Sequence, residues 1–133
     1  MWKNICLSRN FTLKELTCTN HKKYLDENRE LSQQYLGNLY KLAFVLQILR
    51  DKCRFPLFIN SGFRCPSLNY AVGGAAKSSH LVGLAADIRL PGDSEKQDYL
   101  FRAIGHLKEY GVISYVEVNL VSQYIHISVF NDG

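Results

Sequence analysis

The sequence predicts a small α+β domain in which helices pack on one face of an antiparallel sheet. Apolar residues recur every three or four positions between Tyr35 and Cys53, which is the period of a helix that buries one stripe. Nearer the end of the chain, residues 112–120 and 124–130 alternate apolar and polar side chains, as strands of a half-buried sheet do. With 133 residues, 47% of them apolar, the chain can form one hydrophobic core. We therefore expect a single domain over residues 1–133.

The first half of the chain is predicted to be mostly helical. Thr12 and Glu15 have the spacing of a capping box, in which each side chain accepts from the other residue's amide, so a short helix starts there. The long helix follows a charged segment at 26–32, and Pro56 blocks its continuation. A short buried strand, Leu57–Asn60, comes next. The stripe that the long helix should bury is Tyr35, Leu39, Leu42, Leu46, Leu49 and Cys53.

The second half is predicted to contain most of the sheet. Residues 61–79 are rich in Gly, Ser, Asn and Pro, and a loop of this length in a small domain is usually functional. A strand at Leu84–Leu90 ends at the turn Pro91-Gly92. A second capping box, Ser94–Gln97, should open a helix that stops at Gly111.

The last two strands are expected to form a hairpin. A two-residue loop at 121–122 and a four-residue loop at 120–123 give the same register. In that register Glu117 lies opposite His126 on the same face, with Cβ atoms about 4.5–5.5 Å apart.

Composition excludes several classes of protein. Charged residues make up 21% of the chain, which is ordinary for a globular protein and argues against a disordered tail. The longest apolar run, Leu42–Leu49, falls far short of the roughly 20 residues that span a bilayer, so no membrane insertion is expected. The spacing of the four cysteines matches no zinc framework, and we expect buried or reduced thiols. These are Cys6, Cys18, Cys53 and Cys65.

Positive charge is concentrated in the first half of the chain. The net charge is +4, but residues 1–64 hold 11 basic and 5 acidic side chains, which gives +6. A solvated basic face explains this, and so does an anionic partner such as a nucleic acid or a cell wall. The basic residues are scattered and accompany no nucleic-acid motif, so we expect no nucleic-acid partner.

Three polar residues stand out as a candidate metal site. His80, Asp87 and His126 supply two imidazoles and one carboxylate, a donor set that suits Zn²⁺ and leaves a fourth position for water. Each has a structural explanation when taken alone: a histidine in a strand is commonly a hydrogen-bonded interior residue, and an aspartate can be a cap. Their combination favours a catalytic zinc site.

The same residues carry a family resemblance that runs from about Asn10 to Val129. The motifs that carry it are Ser61-Gly62-Phe63-Arg64, Leu68-Asn69, Gly73-Gly74, Ser78-x-His80-x-x-Gly83-x-Ala85-x-Asp87 and Tyr124-Ile125-His126-Ile127-Ser128. In these motifs the chain resembles the zinc D-alanyl-D-alanine carboxypeptidase and L-alanyl-D-glutamate endopeptidase family, and its short phage-type members in particular, which act on peptidoglycan stem peptides. The opening segment, residues 10–16, is also similar to the start of those members.

The resemblance implies a role for each matching residue. His80, Asp87 and His126 would bind zinc; Arg64 would face the scissile carbonyl or its developing oxyanion; and Ser78 would contact substrate. The structural alternatives are an exposed turn arginine in a weak salt bridge for Arg64 and a loop-capping hydroxyl for Ser78.

The general base is where this chain departs from many of its relatives, which carry Glu or Asp three residues before the last histidine. Here that residue is Gln123, whose amide cannot act as a base. Glu117, opposite His126, is the remaining carboxylate nearby. It could accept the proton from water, it could orient His126, or it could be a solvated glutamate on an edge strand.

The resemblance favours a monomeric zinc metallopeptidase that cuts a peptide bond in bacterial peptidoglycan. The first residues show no signal peptide, which fits a phage-type lysis enzyme made in the bacterial cytoplasm and acting at the cell wall after release. The alternative, motivated by Gln123, is a wall-binding or virion-associated module that retains zinc as a structural ion but has lost turnover.

Overall fold

The computed structural model describes residues 2–129. Phe130, the end of the predicted last strand, lies outside this range, as do the outer limits of the predicted domain. The helices are α1 (Leu13–Leu16), α2 (Leu25–Ser32), α3 (Leu36–Cys53), α4 (Pro66–Ala71) and α5 (Ser94–Glu109). The strands are β1 (Cys6–Ser8), β2 (Phe11–Thr12), β3 (Ile59–Ser61), β4 (Ala85–Arg89), β5 (Ile113–Asn119) and β6 (Tyr124–Val129).

Four strands form an antiparallel sheet in the order β3-β4-β6-β5, while β1 and β2 pair separately. Helices α3 and α5 pack against this sheet, so the predicted α+β class is confirmed. The hairpin of β5 and β6 also has the predicted register, because Glu117 pairs with His126 and the connecting loop contains residues 120–123. A bulge between Ile113 and Tyr115 interrupts only the start of β5.

The core lies between α3 and the inner face of the sheet. The predicted stripe of α3 is buried from Leu39 to Cys53, while Tyr35 precedes the helix and is half-buried. Ile88 on β4 and Ile127 on β6 meet this stripe from the sheet. On β6 the alternation buries Ile125 and Ile127 on one face and leaves Tyr124 and His126 half-buried on the other.

Local signals place the helix ends, with one correction. The predicted capping box of Thr12 and Glu15 starts α1, as expected. Helix α3 ends at Cys53, before Pro56, and its C-cap Arg54 adopts a left-handed conformation (φ 63°). Helix α5 is not opened by a Ser94 box, because Asp93 is the N-cap and its carboxylate accepts from the amides of Glu95 and Lys96. An aspartate at the N-cap position caps as well as a serine does, and its negative charge also interacts favourably with the positive end of the helix dipole.

The expectation of an unstructured loop over 61–79 is wrong in its middle. Helix α4 occupies Pro66–Ala71, with proline in the first turn, where its missing N–H costs no helical hydrogen bond. Leu68 and Asn69 are buried on this helix, so the segment is anchored rather than loose. The segment looked like a loop because it contains few apolar residues, and a helix of only six residues needs few.

The charged segment at 26–32 also forms a helix, α2, and buries two polar residues, Asn28 and Ser32. Cys53 and Cys65 are buried, whereas Cys6 and Cys18 are exposed. None of the helices between residues 2 and 129 has the length and apolar character needed to cross a membrane.

Candidate active site

The outer face of the sheet carries one continuous row of polar residues across all four strands. Ser61 on β3 pairs with Asp87 on β4, Asp87 pairs with His126 on β6, and His126 pairs with Glu117 on β5. Side chains at paired positions point to the same face of a sheet, so the register alone brings these groups together. His80 joins the row from a 3₁₀ turn, Ser79–Val82, directly before β4, so only two of the three predicted zinc ligands lie on strands.

The three predicted ligands converge on one point. His80 Nε2 lies 3.2 Å from Asp87 Oδ1, and His126 Nδ1 lies 2.9 Å from the same oxygen. One ligand atom of each residue lies within 4.8 Å of the other two. His80 and Asp87 are buried, and His126 is half-buried. Among the residues the structure describes, these are the three that could hold a metal ion together.

Contacts on the far side of each ring orient the two imidazoles. His80 Nδ1 lies 2.6 Å from the carbonyl oxygen of Gly62, which can only accept, so Nδ1 carries the hydrogen. His80 Nε2 then presents a lone pair toward Asp87. His126 Nε2 lies 2.9 Å from Ser128 Oγ, which leaves His126 Nδ1 facing the same point. Such partners of the outer nitrogen fix which nitrogen a metal meets.

Charge favours a cation at this point. Burial lowers the pKa of His80, against the opposing effect of Asp87, so its imidazole is neutral. Burial alone would raise the pKa of Asp87, but its hydrogen bond with His126 is the largest of the effects that outweigh burial and hold this pKa well below its usual range. The ionised carboxylate of Asp87 and the neutral Nε2 of His80 therefore direct their electron pairs at each other. A zinc ion between them would remove that repulsion, so the donor set fits the metal.

Arg64 is the cation nearest the triad, and it is held in place. Its Nη2 lies 3.8 Å from Asp87 Oδ2, and its Nη1 donates to Asn69 Oδ1 at 3.2 Å. The side chain is only 12% exposed, which contradicts the alternative of an exposed turn arginine. Burial lowers the pKa of Arg64, with Asp87 opposing, yet guanidinium stays charged at neutral pH.

Asn69 connects Arg64 to the loop that forms one wall of the site. Its Oδ1 accepts from Arg64, and its Nδ2 donates to the carbonyl of Ala75 at 2.9 Å. Gly74 makes this possible, since a Cβ at Gly74 would lie 2.1 Å from Asn69 Oδ1 and 2.7 Å from Arg64 Nη1. Only glycine allows the chain to pass so close.

A second buried asparagine, Asn28, holds the backbone on either side of Arg64. Its Nδ2 donates to the carbonyls of Thr17 and Phe63, and its Oδ1 accepts from the amide of Cys65 at 2.7 Å. The amide of Arg64 itself donates to the carbonyl of His80. The main chain of Arg64 is thus tied both to α2 and to the metal site.

Ser78 serves as a cap and also faces the site. Its Oγ accepts from the amide of His80 at 3.1 Å, which starts the 3₁₀ turn. The residue also lines the cavity that contains the triad. A contact between Ser78 and a substrate is not tested by these observations and stays a prediction.

Glu117 lies on the opposite wall, and Gln123 lies away from the cavity. Glu117 lines the same cavity as the triad, and its Oε2 accepts from the hydroxyl of Tyr115 at 2.7 Å. This hydrogen bond raises the pKa of Tyr115. Gln123 occupies the hairpin loop in a left-handed conformation (φ 57°), and its side chain donates to the carbonyl of Leu120.

The triad lies at the floor of a cavity of about 430 Å³. Arg64 and the 75–79 loop form one wall, and Tyr115 and Glu117 on β5 form the other. Lys77 adds a second positive charge to the lining. The cavity therefore combines a candidate metal site, two cations and one exposed carboxylate, which together can polarise a carbonyl and accept a proton.

The structure brings all six predicted site residues to this one cavity. Asn28 was not predicted from the sequence, and Asn69 and Ser128 appeared there only within motifs, without a role. Ser128 had a usable signal, because strand alternation puts it on the face of His126. Asn28 had none, because a single asparagine in a charged helix looks like surface.

Two comparisons with known proteins agree with this geometry. A family model described as peptidase M15 matches residues 9–128. The zinc D-Ala-D-Ala carboxypeptidase of Streptomyces albus G is 40% identical over 53 residues, which cover 40% of this chain and 20% of that protein. The aligned part thus spans about a fifth of that relative's length. Since the family model covers nearly the whole chain and confirms the resemblance drawn from the motifs, the chain belongs to the peptidase M15 family.

Proposed function

We propose that this protein is a zinc-dependent peptidase that hydrolyses a peptide bond in bacterial peptidoglycan stem peptides. The observation that carries the proposal is the convergence of His80, Asp87 and His126 within 4.8 Å at the floor of a cavity. Membership in a peptidase family and the similarity to a zinc D-Ala-D-Ala carboxypeptidase support the substrate class. Either a carboxypeptidase or an L-alanyl-D-glutamate endopeptidase activity is compatible with this proposal.

His80, Asp87 and His126 would hold the zinc ion through Nε2, a carboxylate oxygen and Nδ1. When bound, zinc polarises a carbonyl and makes water acidic enough to attack at neutral pH. The residues of the chain do the remaining work. Gly62 and Ser128 keep the outer nitrogens of the two rings occupied, so that the inner nitrogens stay directed at the metal.

Arg64 would stabilise the oxyanion that develops on the scissile carbonyl. Its guanidinium is buried beside the triad and already held by Asn69, so little reorganisation is needed as charge develops. A cation fixed in a low-dielectric wall acts more strongly on a transition state than the same cation in water. Ser78, on the same wall, would contact the substrate.

Glu117 would accept the proton of the attacking water on its carboxylate. Its position opposite His126 and its place in the cavity lining put it within reach of the metal site. The hydroxyl of Tyr115 donates to this carboxylate and holds it on that wall of the cavity. The same geometry also allows Glu117 to orient His126. The two roles, proton acceptor and orienting partner, predict different effects of Glu117 on zinc affinity.

The excess of basic residues in 1–64 supports action at an anionic cell wall. With the resemblance to short phage-type members, we propose a phage-type lysis enzyme that is made in the bacterial cytoplasm and reaches the wall after release. A monomer without nucleic-acid partners is part of the same proposal.

Gln123 supports one further candidate, an inactive wall-binding or virion-associated module. The residue that many relatives use as a base is here an amide tied to the hairpin loop. In this reading zinc would stabilise the fold without turnover.

One experiment separates these functions. The protein is purified, its metal content is measured, and purified peptidoglycan is incubated with it while released fragments are identified by mass spectrometry. We expect one Zn²⁺ per chain and defined stem-peptide fragments, with both lost in His126→Ala. Zinc binding without fragment release favours the inactive module. Absence of stoichiometric metal, or unchanged zinc binding in His126→Ala, means that the site is misassigned.

A further inference from the structure

We propose that a second cavity, on the β3 side of the triad, is a substrate subsite that binds an uncharged stretch of peptide beyond the scissile bond. This inference rests on the proposed function, because the bond to be cut is placed at the triad. The subsite is lined by Thr19, Asn20, His21, Asn60 and Val72, together with residues that it shares with the first cavity.

The two cavities meet at the candidate active site. The first, of about 430 Å³, holds the triad, and the second, of about 280 Å³, lies beyond it. Arg64, Asp87 and Tyr124 line both, so they form the boundary. The second cavity therefore adjoins the triad, and a ligand bound at the triad can extend past these three side chains toward it.

The row of paired residues on the sheet gives this extension its direction. From Glu117 on the β5 edge it runs through His126 and Asp87 to Ser61 on β3. Ser61 also lines the second cavity. This row thus crosses the strands over the full width of the sheet. The substrate bond to be cut, placed at Asp87 and His126, lies part of the way along the row.

The outer wall of the second cavity is fixed to the sheet by a close backbone contact. The amide of Phe63 donates to the carbonyl of Leu16 at 2.8 Å, just before the segment 19–21. A Cβ at Gly62 would lie 2.4 Å from that same carbonyl oxygen, so only glycine permits this approach. The amide of His21 donates to Thr19 Oγ1, which shapes the turn that faces the cavity. The wall is therefore built into the fold.

The chemistry of the lining identifies what would bind there. Asn20, Asn60 and Thr19 offer neutral amide and hydroxyl groups, which pair with the N–H and C=O groups of a peptide. Within this lining, the permanently charged groups are Arg64 and Asp87 at the boundary, and they face each other at 3.8 Å. A free carboxylate would find no Lys or Arg side chain deeper in the cavity, whereas a continuing, uncharged peptide chain would find amide and hydroxyl partners.

The test uses peptides of matched length on either side of the cleaved bond. Fragment analysis of purified peptidoglycan first identifies that bond. Synthetic peptides containing it are then extended by zero, one or two residues, on the amino side in one series and on the carboxyl side in the other. kcat/KM is measured for the parent, Asn60→Ala and His21→Ala. His106→Ala, an exposed histidine on α5 outside both cavities, is the matched control.

We expect one series to gain kcat/KM with extension in the parent. Asn60→Ala and His21→Ala should each lose about five- to tenfold on the extended peptides of that series, as expected for a lost hydrogen bond. On the truncated peptides of that series the loss should stay under about twofold, because those peptides do not reach the subsite. His106→Ala should match the parent throughout. An equal loss on all peptides, or no loss on any, overturns the inference while leaving the peptidase activity intact.

If the parent shows no turnover, the proposed function has failed. A binding measurement then decides whether the second cavity binds peptide. Synthetic stem peptides, at full length and shortened by one or two residues from either end, are titrated into the zinc-loaded protein and followed by ¹⁵N NMR. Shifts at the amides of residues 19–21 and 60 that vanish with the truncated peptide support the subsite. Binding without shifts at those amides, or no binding, overturns it.

Discussion

The two walls of the cleft hold their charged groups in opposite ways. On one wall the side chain of Arg64 is only 12% exposed and is held by Asn69, and Asn28 holds the backbone of its two neighbours. On the other wall Glu117 stands exposed on β5, an edge strand of the sheet, with the hydroxyl of Tyr115 as its hydrogen-bond partner. One charge is fixed by the fold, and the other is free to adjust.

This difference matches what each group is proposed to do. An oxyanion stabiliser acts through its position, so it gains from a rigid and poorly hydrated setting. A proton acceptor must also return its proton to water, and an exposed carboxylate can do so directly. The comparison predicts that activity depends on the carboxylate of Glu117 as a chemical group. For Arg64 it predicts that activity depends on the geometry of the guanidinium as well as on its charge.

The largest effect should come from removing the proton acceptor. Glu117→Gln keeps the size of the side chain but replaces the basic oxygen with an amide. Turnover should fall by roughly 10²–10⁴-fold while zinc stays bound, measured as kcat and as metal content of the same sample. Glu109→Gln, which changes an exposed glutamate at the end of α5, is the control.

The same variant separates the two roles of Glu117. If Glu117 orients His126 instead, zinc affinity should fall by about 10–100-fold, and excess zinc should restore activity. Full activity of Glu117→Gln at low zinc concentration would exclude both roles and leave this carboxylate a solvated residue of the edge strand.

The next largest effect tests whether the held cation acts through its geometry. Arg64→Lys keeps the charge but loses the planar guanidinium that reaches both Asn69 and Asp87. We expect kcat to fall by about 10²–10³-fold with unchanged zinc content. Arg102→Lys makes the same exchange in an exposed ion pair with Asp98 and should leave kcat unchanged. Equal kcat values for Arg64→Lys and the parent would remove Arg64 from the mechanism.

The two walls also differ in how far the sequence predicts them. The β5–β6 register followed from strand alternation and loop length, and it correctly placed Glu117 opposite His126. Such periodic signals are local, so they suffice wherever neighbouring strands determine the geometry. The long stripe of α3 was predicted for the same reason.

The wall that holds Arg64 depends on contacts that no local pattern reports. Asn28 reaches Phe63 and Cys65, which lie 35 and 37 residues away along the chain. Its own segment is charged and polar, so its burial depends on how α2 packs beside the loop. Asn69 was visible only as part of a motif, because its partner Ala75 lies beyond a glycine turn whose path the sequence does not specify. Position, rather than composition, gives these two residues their roles.

A smaller effect, on zinc affinity, is expected from the serine that contacts His126. Ser128 is buried and contacts the outer nitrogen of His126. Ser128→Ala should weaken zinc affinity by about 10–100-fold, with activity restored by excess zinc. Ser32→Ala removes another buried hydroxyl, one that donates to the carbonyl of Arg29, and it should leave zinc affinity unchanged. Zinc affinity equal to the parent's in Ser128→Ala would show that His126 needs no such partner.

The smallest effect is the most specific test of the fixed wall, because Asn69 can influence the reaction only through what it holds. Asn69→Ala leaves Arg64 Nη1 without its amide partner and removes the donor to Ala75. Because the lost hydrogen bond is one to a charged group, we expect kcat to fall by about tenfold. Gln97→Ala, which removes an amide that holds the carbonyl of Pro91 elsewhere, is the matched control and should keep the parent's kcat.

The decisive measurement is the double variant of Asn69→Ala and Arg64→Lys. If Asn69 acts by positioning the guanidinium, its loss should cost about tenfold in the parent but less than about twofold once Arg64 is lysine, since residues that share one contact are not additive. The thermal midpoint of each variant is recorded alongside kcat. A general weakening of the fold would lower the midpoint and cost the same factor in both backgrounds. Additive losses in kcat would therefore mean that Asn69 supports the loop as a whole, and that the rigidity of this wall does not depend on the amide that contacts its cation.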